Sequence, residues 1–481
     1  LIRHSCLSVH VGLSQEQNSR MTKNSQPINR SRVPQSERFM DFISSNWAEI
    51  DSLIVTRWGV ADHSLKRRDA LSARFPGKVL VIAATQPRVR ANDTDYRYRP
   101  DTAFTHLTGW GSATVPGSVL VIDGSKDKCE STLYLMPTAG RDSDEFFANP
   151  AIGEFWVGPR PTLSQVSFQL GIETKDLKQL DADLASIGAV IDMEDPELSE
   201  AASTLRFVKD EYEIAQMREA VRITVDGFAE VARSIPRATK KARGERVVET
   251  AFYSVARQNG FELGYETIAA SGPNACILHW TKNDGEVKTG DLILVDAGAE
   301  LDSLYTADVT RTIPVNGKFT KEQLWVYNTV LEAADAAFAV VKPGIRFREV
   351  HNAAIGVIAR RVAELGVIPV TAEEALEKDN QHHRRYMVHG TSHHLGLDVH
   401  DCAQARREMY QDGILEKGMI FTIEPGLYFH QNDLNLPAEY RGIGVRIEDD
   451  VLVTESGYEN LSAALPRTAS DVENWFAEQI S

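Results

Sequence analysis

Two distant stretches of this chain repeat one another: Gly290-Asp291-Leu292-Ile293-Leu294-Val295-Asp296-Ala297-Gly298 and Gly418-Met419-Ile420-Phe421-Thr422-Ile423-Glu424-Pro425-Gly426. In each, a turn glycine opens an apolar run, an acid follows six residues later, and a second glycine sits two beyond the acid. A further acid accompanies each copy: Asp308 ahead of Val309-Thr310-Arg311-Thr312-Ile313, and Glu448 after Gly444-Val445-Arg446-Ile447. Asp296, Asp308, Glu424 and Glu448 in one pocket would repel strongly. The usual remedy is a bound divalent cation.

Between the copies, His389, His393, His394 and His400 crowd into twelve residues of a chain with 13 histidines, and His279 precedes the first copy. Taken singly, each histidine is an ordinary hydrogen-bonded residue, and a lone His389-xxx-His393 pair carries little weight. Gly390 and Gly396 argue for irregular backbone there. Strand-end acids commonly face solvent or cap turns. The duplicated spacing is what sets these apart, because an apolar run buried on both faces carries its terminal acid inward or to the rim.

Four carboxylates and an imidazole form a hard, oxygen-rich set that suits Mn²⁺, with Zn²⁺, Co²⁺ and Fe²⁺ open. Five ligands exceed the three of a catalytic zinc. Two ions about 3.5–4 Å apart would use them all and acidify a bridging water, which makes hydrolysis the natural reaction.

The elements that must position these groups read as follows. The polar residues 1–35 lack apolar periodicity and are expected to be a disordered tail; no signal-type apolar core follows Arg3. Residues 36–195 alternate helical patterns (36–50, 65–75, 177–187) with strand patterns (79–83, 118–122, 132–135), an α/β domain. The stretch 92–100 reads as a loop, and 192–200 as an acid-rich connector. Residues 206–475 then run helix, helix, strands, twice: helices at 210–234, 245–258, 321–341 and 348–365, strands at 265–270, 291–296, 308–314, 419–424 and 444–453. Such a duplication would set the acid-bearing hairpins about a pseudo-twofold axis, in a curved sheet backed by helices.

Hydrophobic residues make up 42 % and charged residues 25 % of the 481, the balance of a globular protein. No apolar stretch approaches the roughly 20 residues of a spanning helix. A net charge of −16 disfavours nucleic acid and anionic membranes as partners. Cys6, Cys129, Cys276 and Cys402 form no CxxC pair, as expected of reduced thiols in the cytoplasm.

Together, Cys276-Ile277-Leu278-His279, Val295-Asp296-Ala297-Gly298, Asp308-Val309-Thr310-Arg311-Thr312, Pro314 through Phe319, His389 through Asp401, Ile423 through Tyr428 and Tyr440 through Asp450 resemble, in order, the motifs of the pita-bread metallopeptidases. The likeness is strongest to aminopeptidase P, the Xaa-Pro aminopeptidases. It covers the whole second domain and, more faintly, the first. The resemblance implies a creatinase-like α/β amino-terminal domain followed by a pita-bread catalytic domain, and cleavage of Xaa-|-Pro-Yaa through a metal-activated bridging hydroxide. By position, Asp296 would be a terminal metal ligand, Asp308 and Glu448 would bridge two ions, and His393 and Glu424 would complete the second, with Glu424 also the general base. His279 and His400 would contact substrate and steady the tetrahedral intermediate. His389, Tyr428 and Arg446 would form the proline pocket and its support, Asp93 would receive the substrate amino terminus, and the relatives imply a homo-dimer or homo-tetramer.

Prolidase shares the five ligands and cleaves only dipeptides. Methionine aminopeptidase lacks so large a first domain. Creatinase works without metal and lacks the full ligand set, and pita-bread domains that serve as binding modules have lost theirs.

Overall fold

The computed structural model describes residues 36–48, 54–92, 94–125, 129–186 and 189–481. The expected tail 1–35 and Asp93 lie outside the described residues.

The amino-terminal part is built on a five-stranded mixed sheet, in the order Glu173–Asp176, Glu130–Leu135, Val119–Asp123, Val79–Ala83, Val190–Asp192. Its central strands alternate faces. Leu80, Ile82, Leu120, Ile122 and Leu133 pack under helices Ala61–Ser72, Thr102–Thr108 and Leu163–Leu170, while Val79, Val81, Val119 and Val121 meet Leu180 and Leu184 on the other side. The acid-rich connector is largely structured: Asp195 caps the helix Pro196–Thr204 by accepting from the backbone of Glu197 and Leu198. A cap followed by an N1 proline is a helix start, and the density of acids obscured it. The expected loop 92–100 contains a short hairpin strand, Thr94–Asp95, paired with Val89–Ala91.

The second part opens with helix Glu211–Ala238, begun by a reciprocal capping box between Asp210 and Glu213. It packs on Gly244–Asn259, and the pair Lys321–Val340 and Phe347–Glu364 repeats the arrangement. These helices back strand Leu292–Ala297, paired antiparallel with Val309–Pro314 and Ile268–Ser271, and strand Ile420–Ile423, paired with Asp449–Val453. Both acid-bearing strands are buried along their whole length, as the apolar runs predict. The turn glycines Gly290 and Gly418 hold φ of +96° and +92°, left-handed conformations that glycine adopts freely. The glycines beyond the acids serve a different need: a Cβ on Gly298 would overlap the Ala307 carbonyl oxygen, and one on Gly426 the Tyr428 hydroxyl.

One expected element divides. Instead of a single strand over 444–453, Ile443–Arg446 pairs with Gly426–Phe429, and Asp449–Val453 pairs with Ile420–Ile423. The break falls at Ile447 and Glu448, where the Glu448 N–H turns to the Thr310 carbonyl in the other half of the duplication at 3.1 Å.

Candidate metal centre

Asp296 lies near the end of its strand, Asp308 immediately precedes the paired strand Val309–Pro314, Glu424 follows Ile420–Ile423, and Glu448 occupies the break. His393 comes from the irregular 389–401 segment, which is attached to the sheet by a bridge between His394 and Phe421. All five expected ligands line one cavity of about 630 Å³, together with His279, His389, His400 and Arg446. That size is ordinary for a small-ligand site.

His393 Nε2 stands 3.2 Å from Asp308 Oδ2, 3.7 Å from Glu424 Oε1 and 3.9 Å from Glu448 Oε1. Its Nδ1 is 3.2 Å from the His394 carbonyl, to which it donates, so Nε2 is the nitrogen aimed at the carboxylates. Asp296 sits to one side: Arg446 Nη2 donates to its Oδ2 at 2.5 Å, and the Tyr265 hydroxyl contacts its Oδ1 at 2.6 Å while also touching Asp308. Thr310 Oγ1 donates to Glu448 at 2.7 Å and accepts from Arg446 Nε at 3.2 Å.

Burial and mutual repulsion govern the electrostatics. Glu424 is pushed up to about 7 by burial, partly opposed by His393 and Arg446. Burial raises Asp308, with His393 opposing, and burial together with Asp308 and Glu424 raises Glu448 well above the carboxylate range. Burial works against a charged His393, yet Asp308 and Glu424 raise it to about 9. Buried acids that push one another toward protonation around an imidazole are the donor set of a cation site. The residues present therefore fit divalent metal, with Asp308, His393 and Glu448 already within 4.8 Å of one another through single ligand atoms.

The surrounding histidines differ in what they leave free. His389 donates from Nδ1 to the Gly390 carbonyl at 2.7 Å and accepts the Tyr428 hydroxyl on Nε2 at 2.8 Å. Burial and Arg446 hold it neutral, down to about 3. Tyr428 stands behind His389, takes a further bond from Arg446 Nη1 at 3.0 Å, and is not among the cavity-lining residues. His279 and His400 line the cavity and are exposed to it. The loop bearing His279 is tied down by buried Glu245, which accepts from Ser271 N, Asn274 Nδ2, Trp280 Nε1 and Gly285 N at 2.7–2.8 Å.

Sequence reasoning missed Tyr265, Thr310 and Glu245 as supports of the site, and Glu266 and Thr281 as parts of its wall. Tyr265 and Glu245 carry no local pattern that marks them. Thr310 adjoins a motif acid but is indistinguishable from any strand threonine. Cys276 and Cys402 are buried thiols, raised by that burial, and neither lines the cavity.

Both parts of the chain match known proteins. Residues 215–455 match Metallopeptidase family M24, and residues 65–192 match the aminopeptidase P N-terminal domain. The chain is 43 % identical over 461 residues to Xaa-Pro aminopeptidase 1 of Streptomyces coelicolor, covering 92 % of each. It is 44 % identical over 459 residues to that organism's Xaa-Pro aminopeptidase 2, covering 89 % of this chain and 96 % of the relative. The solved structure of proline aminopeptidase P II from Yersinia pestis superposes with a TM-score of 0.74 at 30 % identity, covering 87 % of this chain and 99 % of that one. The chain is a pita-bread metallopeptidase, with the metal-dependent hydrolytic chemistry of that class. Within the class, carrying both matched domains, it belongs to the aminopeptidase P family.

Proposed function

We propose that the protein removes the first residue of peptides whose second residue is proline, hydrolysing Xaa-|-Pro-Yaa. The observation that carries this is the convergence of Asp296, Asp308, His393, Glu424 and Glu448 in one cavity beside His279, His389 and His400. Asp296 would be a ligand of one divalent ion, His393 and Glu424 ligands of a second, and Asp308 and Glu448 ligands of both. Mn²⁺ is the proposed native metal, with Zn²⁺, Co²⁺ and Fe²⁺ as alternatives. When bound, the ions supply Lewis acidity toward the scissile carbonyl and an acidified water as nucleophile.

The chain's own residues do the rest. Glu424 accepts the proton of the attacking water on a carboxylate oxygen and passes it to the departing proline nitrogen. That nitrogen is a tertiary amide without N–H, so it leaves only with a delivered proton. His279 and His400 donate to the developing oxyanion. His389 has both ring nitrogens engaged, which supports a wall for the proline ring rather than a proton carrier, with Tyr428 and Arg446 holding it in place. The acidic cavity draws in the substrate's α-ammonium, and Asp93 is proposed to receive it on the strength of sequence position alone.

Among the described residues no helix is long and apolar enough to cross a membrane. The unpaired Cys129, Cys276 and Cys402 support a reducing, cytoplasmic setting. We propose a homo-dimer or homo-tetramer on the family resemblance. The test of the functional reading is metal removal and return: chelation should abolish release of the first residue, and titration with Mn²⁺ should restore it at two ions per chain. Full activity in the stripped protein would contradict it.

A further inference from the structure

The 394–401 segment that carries His400 into the cavity is held from three directions. At its start, Leu395 N–H bonds the Ile420 carbonyl at 3.1 Å, and the Gly396 carbonyl accepts from Thr306 N at 3.0 Å. At its end, Asp401 is locked in the interior by Arg206 Nε at 2.8 Å and Lys209 Nζ at 3.2 Å. The middle is gripped by the amino-terminal domain. Arg99 Nη2 donates to the Leu397 carbonyl at 2.5 Å, Arg99 Nη1 stands 3.5 Å from Asp398 Oδ1, and Thr102 Oγ1 donates to that same oxygen at 2.6 Å. The guanidinium is aimed by Glu300, whose buried carboxylate receives Arg99 Nε at 2.7 Å. Arg99 thus spans from the first domain to the catalytic sheet and the histidine loop at once. His400 lies between the Asp398 and Asp401 anchors, its ring 4.4 Å from that of His393.

We infer that Arg99 is a positioning residue for the reaction: by clamping Leu397 and Asp398 it holds His400 where the substrate carbonyl must lie. The inference rests on the reading of His400 as an oxyanion contact. Its effect is local, because the domains are tied independently by Arg97 to Glu262 at 2.7 Å and by Ser112 to Asp302 at 2.6 Å. Loss of the fork releases the Leu397 carbonyl and leaves Asp398 to Thr102 at 2.6 Å and to Arg206 Nη2 at 3.9 Å, while Leu395 and Asp401 stay anchored. A planar fork serving two acceptors is not reproduced by lysine.

The test is a double-mutant cycle on kcat with a tripeptide Xaa-Pro-Yaa, comparing wild type, Arg99→Ala, His400→Ala and the double variant, with metal content and Tm recorded for each. Arg99→Ala should lower kcat about tenfold to a hundredfold, the scale of an ångström misplacement, with KM and metal content unchanged. The double variant should be no slower than His400→Ala alone, since groups acting as a unit are non-additive. Multiplied losses in the double variant, with His400→Ala itself slow, would overturn the inference and leave the His400 reading standing. Wild-type kcat in His400→Ala would overturn both. Should Arg99→Ala fail to fold, Thr102→Val removes half of the grip on Asp398 and must show a smaller loss of kcat with the same non-additivity.

Discussion

Thr310 and Glu448, from opposite halves of the internal duplication, meet twice: Glu448 N–H bonds the Thr310 carbonyl at 3.1 Å, and Thr310 Oγ1 donates to the Glu448 carboxylate at 2.7 Å. This is the seam of the candidate metal centre. The backbone bond breaks the second half's strand, and the side-chain bond aims the carboxylate that the break releases.

Thr310→Val keeps the strand and the side-chain shape but removes the hydroxyl. A group supporting a metal ligand is worth about 10–100-fold in metal affinity. The expected outcome is weaker metal binding by that factor in a competition titration, with activity recovering at saturating metal. Unchanged affinity would assign the bond to packing alone.

Glu424→Gln removes the proposed proton acceptor with little change in volume. A positioned general base contributes about 10²–10⁴-fold, so kcat should fall at least that far while circular dichroism and Tm remain near wild type. An active, metal-loaded variant would overturn the assignment.

Asp401 does not line the cavity and is fully buried between Arg206 and Lys209. Burial alone would raise it, but the two cations hold it well below the usual carboxylate range. Asp401→Asn leaves both cations without their partner, and breaking a buried pair costs about 3–5 kcal/mol. Thermal and urea unfolding should show a large loss.

Glu213 gives the acid side of the stability profile. It caps the first catalytic-domain helix and accepts the Tyr305 hydroxyl at 2.8 Å. Burial opposes its charge, but His106, Arg67 and Lys209 hold it down to about 2, from an ordinary 4.5. A depressed carboxylate contributes stability that is complete above its unfolded value and lost as pH falls through its folded one. That difference corresponds to about 3 kcal/mol. The stability gap between wild type and Glu213→Gln should be constant above pH 5 and shrink between pH 4.5 and 2. A gap that does not change over that range would show that Glu213 titrates normally.

Asp296 and Glu424, two of the proposed metal ligands, stand out because the duplication writes them in a local code: a left-handed turn glycine, an apolar run buried on both faces, an acid, and a glycine required by close packing. What escaped depends on contacts between remote segments. Glu173–Asp176 has no alternating apolar pattern and is a strand because Glu130–Leu135 pairs with it. The break at Glu448 is imposed by Thr310, and the Arg99 to Glu300 pair joins two domains. Tyr265 acquires its place only when the hairpin brings Asp296 and Asp308 against its hydroxyl. No window of sequence contains both partners of any of these pairs.

The most direct measurement is product analysis after incubating the Mn²⁺-loaded protein with a single tripeptide, Xaa-Pro-Yaa. Stoichiometric release of free Xaa and the dipeptide Pro-Yaa is the expected result. An intact tripeptide, alongside cleavage of the matching Xaa-Pro dipeptide, would contradict it.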